Sequence, residues 1–129
     1  MAITNSMSDN DTTSETSKVI GDRAEESAAR FLEQRGFAVL TRNFRCRGGE
    51  IDLVCRDGRT LVFVEVRLRR NATYGGAGAS ITAGKQRRVI LAAQHYLLAH
   101  ATADSDCRFD CVLLDGERIE WVRDAFSAD

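Results

Sequence analysis

The chain has 129 residues, no proline, 43% hydrophobic residues and a formal net charge of −1 at pH 7. This length allows one domain with a single hydrophobic core. No stretch is apolar over enough residues to cross a membrane or to serve as a signal peptide. We therefore expect a cytoplasmic protein without a membrane partner. The polar composition of residues 1–18 predicts a disordered N-terminal tail before a single domain at 19–129.

Charge is distributed unevenly along the chain. Between Thr41 and Arg88 there are eleven basic residues and four acids. Three of these acids, Glu50, Asp52 and Glu65, belong to one candidate site. A basic segment around an acidic focus is typical of a polyanion held near a metal ion. A solvated arginine-rich surface would have the same composition, so both interpretations stay open on charge alone.

The four cysteines, Cys46, Cys55, Cys107 and Cys111, show no C-x-x-C spacing. A zinc site would need closely spaced ligands, and neither histidine is placed to complete one. We therefore expect reduced cysteines in strands.

Hydrophobic spacing and turn signals predict the order helix, three strands, helix, two strands. The predicted bounds are helix 22–35, strands 37–44, 50–56 and 59–68, helix 83–100, and strands 108–114 and 117–122. This order predicts an α/β fold with a mixed central sheet of about five strands flanked by helices.

Each predicted helix carries charged residues that can be interpreted in two ways. Glu25 lies at the edge of the first apolar stripe, where it can point toward the sheet or form a capping pair with Asp22. The residues alone favour capping. The second helix is capped by Ser80 or Thr82, and its first turns carry cations at the end that the helix dipole disfavours. A bound anion would relieve that conflict, and an exposed basic face is equally compatible with it.

The centre of the chain, from Gly48 to Arg70, predicts a β-hairpin that turns at Asp57-Gly58. With these two residues at the centre of the turn, Asp52 faces Phe63 and Glu50 faces Glu65. Glu50, Asp52, Glu65 and Arg67 then project from one face, with Asp52 and Glu65 as diagonal neighbours. Like charges this close destabilise a sheet unless they are neutralised, and a divalent cation is the obvious candidate.

An Asp followed, on the next strand, by Glu-x-basic is a phosphodiesterase arrangement. Carboxylates hold Mg²⁺, which prefers oxygen ligands and keeps several waters. The metal polarises a phosphoryl oxygen and lowers the pKa of the attacking water, and a nearby cation offsets charge in the transition state.

A set of motifs resembles one bacterial family. The motifs are Gly21-x-x-x-Glu25, Asn43-Phe-Arg45, Gly49-Glu-Ile-Asp-Leu53, Phe63-Val-Glu-Val-Arg67, Lys85, Arg108-Phe-Asp110 and Ala125-Phe126. From about Ile20 to Phe126 the chain resembles the YraN-type family, which is similar to archaeal Holliday-junction resolvases of the PD-(D/E)xK superfamily. The resemblance implies a restriction-endonuclease-like (tRNA-endonuclease-like) fold. It also implies a homodimeric, Mg²⁺- or Mn²⁺-dependent endonuclease that acts on branched or damaged DNA.

The resemblance also implies roles for individual residues. Glu25, Asp52 and Glu65 would be catalytic metal ligands, with Glu50 as a further candidate ligand. The family pattern ends in Glu-x-Lys, whereas this chain has Arg67 at that position. Arginine stays protonated and cannot act as a base, although it can grip a phosphate.

The composition offers a simple explanation of Arg67. The chain has sixteen arginines and only two lysines, which fits an exchange of lysine for arginine at this position without a change of role. Lys85 is the only lysine after residue 18 and is the natural candidate for any catalytic role that arginine cannot fill. The residues predicted to contact nucleic acid, DNA rather than RNA, are Arg42, Arg45, Arg47, Arg69, Arg70, Lys85, Arg87 and Arg88.

Two other functions compete with the nuclease. Arg67 in place of lysine also suits a nucleic-acid-binding module that kept the fold and lost turnover. The acidic C-terminal third suits a protein-interaction factor.

Overall fold

A computed structural model describes residues 16–68, 81–100, 105–116 and 118–128. The elements are helix α1 (Ser17–Glu33), strands β1 (Ala38–Cys46), β2 (Gly49–Asp57) and β3 (Thr60–Leu68), helix α2 (Ala83–Ala99), and strands β4 (Asp106–Asp115) and β5 (Arg118–Phe126). The strands form one sheet in the order β1-β2-β3-β4-β5. Only the pair β3–β4 is parallel among these five strands. The predicted α/β class, with a mixed sheet of about five strands and flanking helices, is confirmed, and this arrangement fits the restriction-endonuclease-like fold that the resemblance implies.

The two helices cover opposite faces of the sheet, because each strand of the core carries apolar side chains on both sides. Helix α1 packs through its small residues and Leu32 against Leu53, Cys55, Val62, Val64 and Val112. Helix α2 packs on the other face through Val89, Ala92, Ala93 and Tyr96 against Ile51, Val54, Leu61, Phe63 and Phe109. Neither described helix is long and apolar enough to cross a membrane.

Helix α1 begins earlier than predicted. Its N-cap is Thr16, whose hydroxyl oxygen accepts a hydrogen bond from the Val19 amide at 3.2 Å. Ser17 and Lys18, which the composition places in the tail, are therefore helical, and the expected start at Asp22 was wrong. The first turn is exposed, so it adds nothing to the apolar stripe from which the start was predicted. Asp22 and Glu25 lie inside the helix and are not a capping pair.

The hairpin turns one residue later than predicted. Asp57 pairs with Thr60, so Gly58 and Arg59 form the turn, and Gly58 has a φ of 63°. The register of the described pairs therefore shifts by two residues. The described pairing of β2 with β3 ends at Leu53 and Val64, so it does not include the predicted neighbours Asp52 and Glu65.

Two local predictions, the cap of α2 and the reduced cysteines, are confirmed. Thr82 caps α2, because its hydroxyl oxygen accepts a hydrogen bond from the Lys85 amide at 3.2 Å. All four cysteines are free thiols. Asp110 is completely buried and accepts hydrogen bonds from the Arg108 guanidinium, the Trp121 indole and the Asp124 amide. This buried acid is thus saturated by a structural network on the α1 face.

Candidate active site

The predicted acidic residues line one small cavity of about 140 Å³. The cavity opens where β2 and β3 separate beyond the Leu53–Val64 pair, between the first half of α1 and the start of α2. Its charged lining residues are Glu25, Glu50, Asp52, Glu65 and Lys85. Residues from four elements, far apart in sequence, thus line one cavity between the helices and the inner strands β2 and β3.

Asp52 is held at the point where the two strands part. Its Oδ2 accepts a hydrogen bond from the backbone N–H of Val66 at 2.8 Å. The carboxylate therefore takes the place that a strand carbonyl would occupy in the ladder. Burial raises the pKa of Asp52 to about 6, and the neighbouring charge of Glu25 adds to this, while the Val66 hydrogen bond acts in the opposite direction.

Glu65 is the more buried of the two strand acids, with only 5% of its surface exposed. Its Oε2 lies 3.2 Å from Nζ of Lys85. Burial raises the pKa of Glu65 to about 7, and the charge of Asp52 raises it further, whereas Lys85 lowers it. Asp52 and Glu65 line the same cavity, and the charge of Asp52 makes the Glu65 carboxyl group harder to ionise.

Glu25 and Glu50 complete the acidic lining from two sides. Glu25 is half-buried on α1 and lines the cavity with Asp52, whose pKa its charge raises. Because Ala24 and Ala28 of the same helix are buried against the sheet, Glu25 lies at the edge of the packed face and reaches the cavity. Glu50 is half-buried, and its Oε1 lies 4.0 Å from Nε of Arg45.

Gly49 allows α2 to approach the site. A Cβ atom at position 49 would lie 2.3 Å from the carbonyl oxygen of Arg88 and 3.1 Å from the amide nitrogen of Ala92. Only glycine therefore permits this contact between the start of β2 and the α2 backbone. The contact brings the first turns of α2, with Lys85, over the acids. The sequence shows the Gly48-Gly49 pair, but it does not predict the contact of Gly49 with the backbone of α2.

The structure separates the two candidate catalytic cations. Lys85 lines the acidic cavity and also an adjoining one of about 220 Å³, which is lined by Glu50, Glu65, Arg88 and Val89 as well. Arg67 lines neither cavity. It is half-buried, and its charge lowers the pKa of the Cys111 thiol on the neighbouring strand against the stronger effect of burial.

The arginines predicted to contact nucleic acid have different surroundings. Arg42 forms an ion pair with Glu26 of α1, and Arg45 approaches Glu50. Arg47, Arg87 and Arg88 are exposed. Arg69 and Arg70 lie outside the described residues. Arg45 and Arg88 are thus the predicted contacts that lie next to the acidic cavity.

The donor set is chemically suited to a hard divalent cation, although it is not preassembled. Within the described part of the chain, no three His, Cys, Asp or Glu side chains are close enough together to hold a metal ion as they stand. The cavity nevertheless presents carboxylate oxygens, which Mg²⁺ and Mn²⁺ prefer. The buried Glu65 and the half-buried Asp52 have one lysine beside them, and a bound cation would supply the positive charge that they lack.

Comparisons with known proteins agree with the motifs. The family described as "Uncharacterised protein family UPF0102" matches residues 24–114, a span that includes every acid of the cavity. A UPF0102 protein of Dechloromonas aromatica (strain RCB) is 64% identical over 115 residues, covering 89% of this chain and 94% of that protein. A UPF0102 protein of Methylobacillus flagellatus is 54% identical over 114 residues, covering 86% of this chain and 99% of that protein.

Among solved structures, the one described as "Crystal structure of SSO0001" is similar, with a TM-score of 0.47 and 15% sequence identity. The match covers 89% of this chain and 55% of that one, so this chain spans about half the length of that protein. The family match and the two bacterial relatives are far stronger. The chain belongs to the uncharacterised protein family UPF0102, the YraN-type family that its motifs resemble.

Proposed function

We propose that this protein is a Mg²⁺- or Mn²⁺-dependent nuclease that hydrolyses phosphodiester bonds in DNA, with branched or repair intermediates as its substrates. The observation that carries the proposal is that the half-buried Asp52 and the buried Glu65 line one small cavity, with Glu25 beside them. Placing two acids close together and away from water costs stability. A metal ion bound between them would offset that cost.

Asp52, Glu65 and Glu25 are the residues that would hold the metal, with Glu50 at the rim. A bound divalent cation polarises the phosphoryl oxygen and makes its bound water more acidic. The hydrogen bond from Val66 holds the Asp52 carboxylate in one orientation. The buried position of Glu65 restricts its side chain in the same way, so both ligands are oriented before a substrate arrives.

Lys85 takes the role that the family pattern gives to the lysine at the third motif position. Its ammonium group lies beside Glu65, and its side chain is 47% exposed. It can therefore contact a substrate phosphate without losing its anchor on the acid. As a primary amine it can also give up or take a proton, which the guanidinium of Arg67 cannot do.

The exposed arginines around the site suit a polyanion. Arg88 lines the adjoining cavity with Lys85, and Arg45 lies beside Glu50 at its rim. A DNA strand would contact these cations through its phosphates while one phosphodiester reaches the acids. Cutting both strands of a branched duplex symmetrically would need two such sites, which a homodimer supplies.

The direct test is cleavage of a panel of single-stranded, duplex and branched DNA with Mn²⁺. We expect the wild type to cut at least one structured substrate and Asp52→Asn to abolish cleavage. Asp106→Asn is the matched control, since Asp106 is an exposed acid at the start of β4. If the wild-type protein cuts none of these substrates, the proposal is wrong.

One observation favours a binding module without turnover as the second candidate. Arg67 occupies the position of the family lysine and does not line the acidic cavity. This alternative predicts binding to DNA that weakens with salt, needs no metal and is unchanged in Asp52→Asn. Binding of this kind, with no cleavage of any substrate, would favour it over the nuclease.

A further inference from the structure

A second, larger cavity lies at the opposite end of the same sheet face. It has a volume of about 430 Å³, and its lining includes Leu40, Arg56, Arg59, Leu61, Tyr96 and His100. Leu61 is four residues from Glu65 on β3, which corresponds to about 13 Å. Along α2, His100 follows Lys85 by fifteen residues, or about 22 Å. The cavity is therefore separate from the acidic site and has the size of a small-molecule pocket.

The charge of this cavity is positive. Arg56 and Arg59 line it, and no acid does within the described residues. Neither arginine forms an ion pair with any residue that the structure describes. Asp57, which lies between them in sequence, turns to the other face, where its carboxylate is 3.8 Å from Arg108 and 3.9 Å from Arg123. Two cations thus line one cavity, and no described residue forms an ion pair with either of them.

The opposite wall is an aromatic platform. The rings of Tyr96 and His100 are stacked, with centroids 4.0 Å apart and planes 20° apart. Nδ1–H of His100 donates to the Tyr96 carbonyl oxygen at 3.0 Å. The Tyr96 hydroxyl is in turn 3.4 Å from the Thr41 hydroxyl. Tyr96 is buried while His100 is exposed, so a held imidazole presents its second ring face outward.

We propose that this cavity binds a nucleotide unit, with its phosphate on Arg56 and Arg59 and its base stacked on His100. Guanidinium groups bind phosphate through charge-assisted hydrogen bonds, and aromatic rings stack on any base. Leu40 and Leu61 supply an apolar wall for the base. The unit is either a free nucleotide or one residue of a nucleic-acid strand.

The end of α2 determines the direction in which the unit lies. The last carbonyl groups of a helix have no partner within it and carry partial negative charge. They disfavour a phosphate near His100 and favour the amino or imino donors of a base there. The phosphate therefore lies on the hairpin side and the base on the helix side. This site needs no metal, so it does not depend on the proposed nuclease activity.

The test is an NMR titration of the metal-free, full-length protein with adenosine monophosphate. We expect the amide signals of Leu61, Tyr96 and His100 to shift and saturate, whereas adenosine and inorganic phosphate bind at least about tenfold more weakly. The double variant Arg56→Gln/Arg59→Gln should weaken binding by about tenfold or more. His100→Ala should weaken it by about fivefold or more, to the level of ribose 5-phosphate.

Arg118→Gln is the matched control, because Arg118 is the corresponding hairpin arginine between β4 and β5 and lines a different cavity with Asp115 and Glu120. It should leave the affinity unchanged. A short single-stranded oligonucleotide that moves the same signals at lower concentration would identify a strand as the source of the unit, and a response to the monophosphate alone would identify a free nucleotide. No saturable shift, or equal affinity for phosphate and the monophosphate, would overturn the proposal.

Discussion

Nζ of Lys85 lies 3.2 Å from Oε2 of Glu65, although Lys85 is on helix α2 and Glu65 is in the middle of the sheet. This contact joins the only lysine after residue 18 to the buried acid of the Glu-x-Arg motif. Lys85 thus gives the site an amine that can exchange a proton, whereas the motif itself carries only the guanidinium of Arg67. Variants of Lys85 and of Arg67 can therefore test which of the two cations acts in the site.

Lys85→Met should reduce DNA cleavage by about two orders of magnitude or more, which is the usual contribution of a proton-transfer group. Lys85→Arg should restore binding to DNA, because the charge is kept, but not cleavage, because arginine does not release its proton. Arg67→Lys and Arg67→Ala are the comparison variants, and both should retain most of the activity. If Arg67→Ala is inactive while Lys85→Met cleaves normally, the roles are reversed.

Asp52→Asn should stabilise the metal-free protein at neutral and alkaline pH. The pKa of Asp52 is raised from 3.8 to about 6 and that of Glu65 from 4.5 to about 7, so the folded chain holds these protons more tightly than the unfolded chain does. Their contribution to the free energy of unfolding is complete below about pH 4 and is lost as the pH rises through 6 and 7. An amide at position 52 keeps the acceptor for Val66 and removes the repulsion.

The measurement is urea unfolding of both proteins from about pH 4.5 to about pH 8. We expect the difference between variant and wild type to grow with pH and to reach about 1 to 3 kcal/mol, since one pKa unit corresponds to about 1.4 kcal/mol. Asp106→Asn, an exposed acid outside the site, should show no such trend. A variant that is less stable than the wild type at about pH 8 would contradict the repulsion between Asp52 and Glu65.

The order of the elements and the gathering of the acids follow from local patterns, whereas the exact register does not. Asp57-Gly58 marks a turn because glycine tolerates the positive φ found at Gly58, but the signal does not say whether the glycine is the first or the second central residue. Strict alternation also fails within β2, where Ile51 packs toward α2 and Leu53 packs toward α1. The predicted acids nevertheless line one cavity.

Other features depend on contacts that no local pattern contains. The exposed first turn of α1 is stabilised by the Thr16 cap and adds no apolar residue, so periodicity placed the start at Asp22. Gly49 indicates a turn, but its close contact with the Arg88 carbonyl depends on how α2 packs. Arg67 was expected beside the acids because its side chain shares a face of β3 with Glu65. In the structure Arg67 does not line the acidic cavity, which residues of α1, β2, β3 and α2 form.

Divalent metal should raise the melting temperature of the wild-type protein. Mn²⁺ bound between Asp52 and Glu65 would offset their repulsion, and a ligand at about 100 times its dissociation constant adds about 2.7 kcal/mol of stability, or several degrees for a domain of this size. The shift should shrink as the pH falls below about 6, because protonated carboxyl groups do not ligate. Scanning calorimetry with and without Mn²⁺ measures it.

The matched variants separate a specific site from general screening. Asp52→Asn and Glu65→Gln should each lose most of the Mn²⁺ shift, whereas Glu120→Gln, on the exposed part of β5, should keep it. An equal shift in all four proteins would show that the metal acts on surface charge and not on the acidic cavity.

Gly49→Ala should destabilise the fold and lower activity together. The new Cβ would lie 2.3 Å from the Arg88 carbonyl oxygen, a backbone atom that cannot rotate away, so α2 must move outward and carry Lys85 away from Glu65. Overpacking of this kind costs about 1 to 3 kcal/mol.

Gly84→Ala is the control on the same helix, because its Cβ would meet nothing closer than 3.7 Å, and alanine in a helix is more stable than glycine by about 1 kcal/mol. Urea unfolding of both variants, with cleavage assayed in parallel, should show opposite signs of stability change and a loss of activity only in Gly49→Ala; a neutral Gly49→Ala would mean that α2 does not rest on the start of β2.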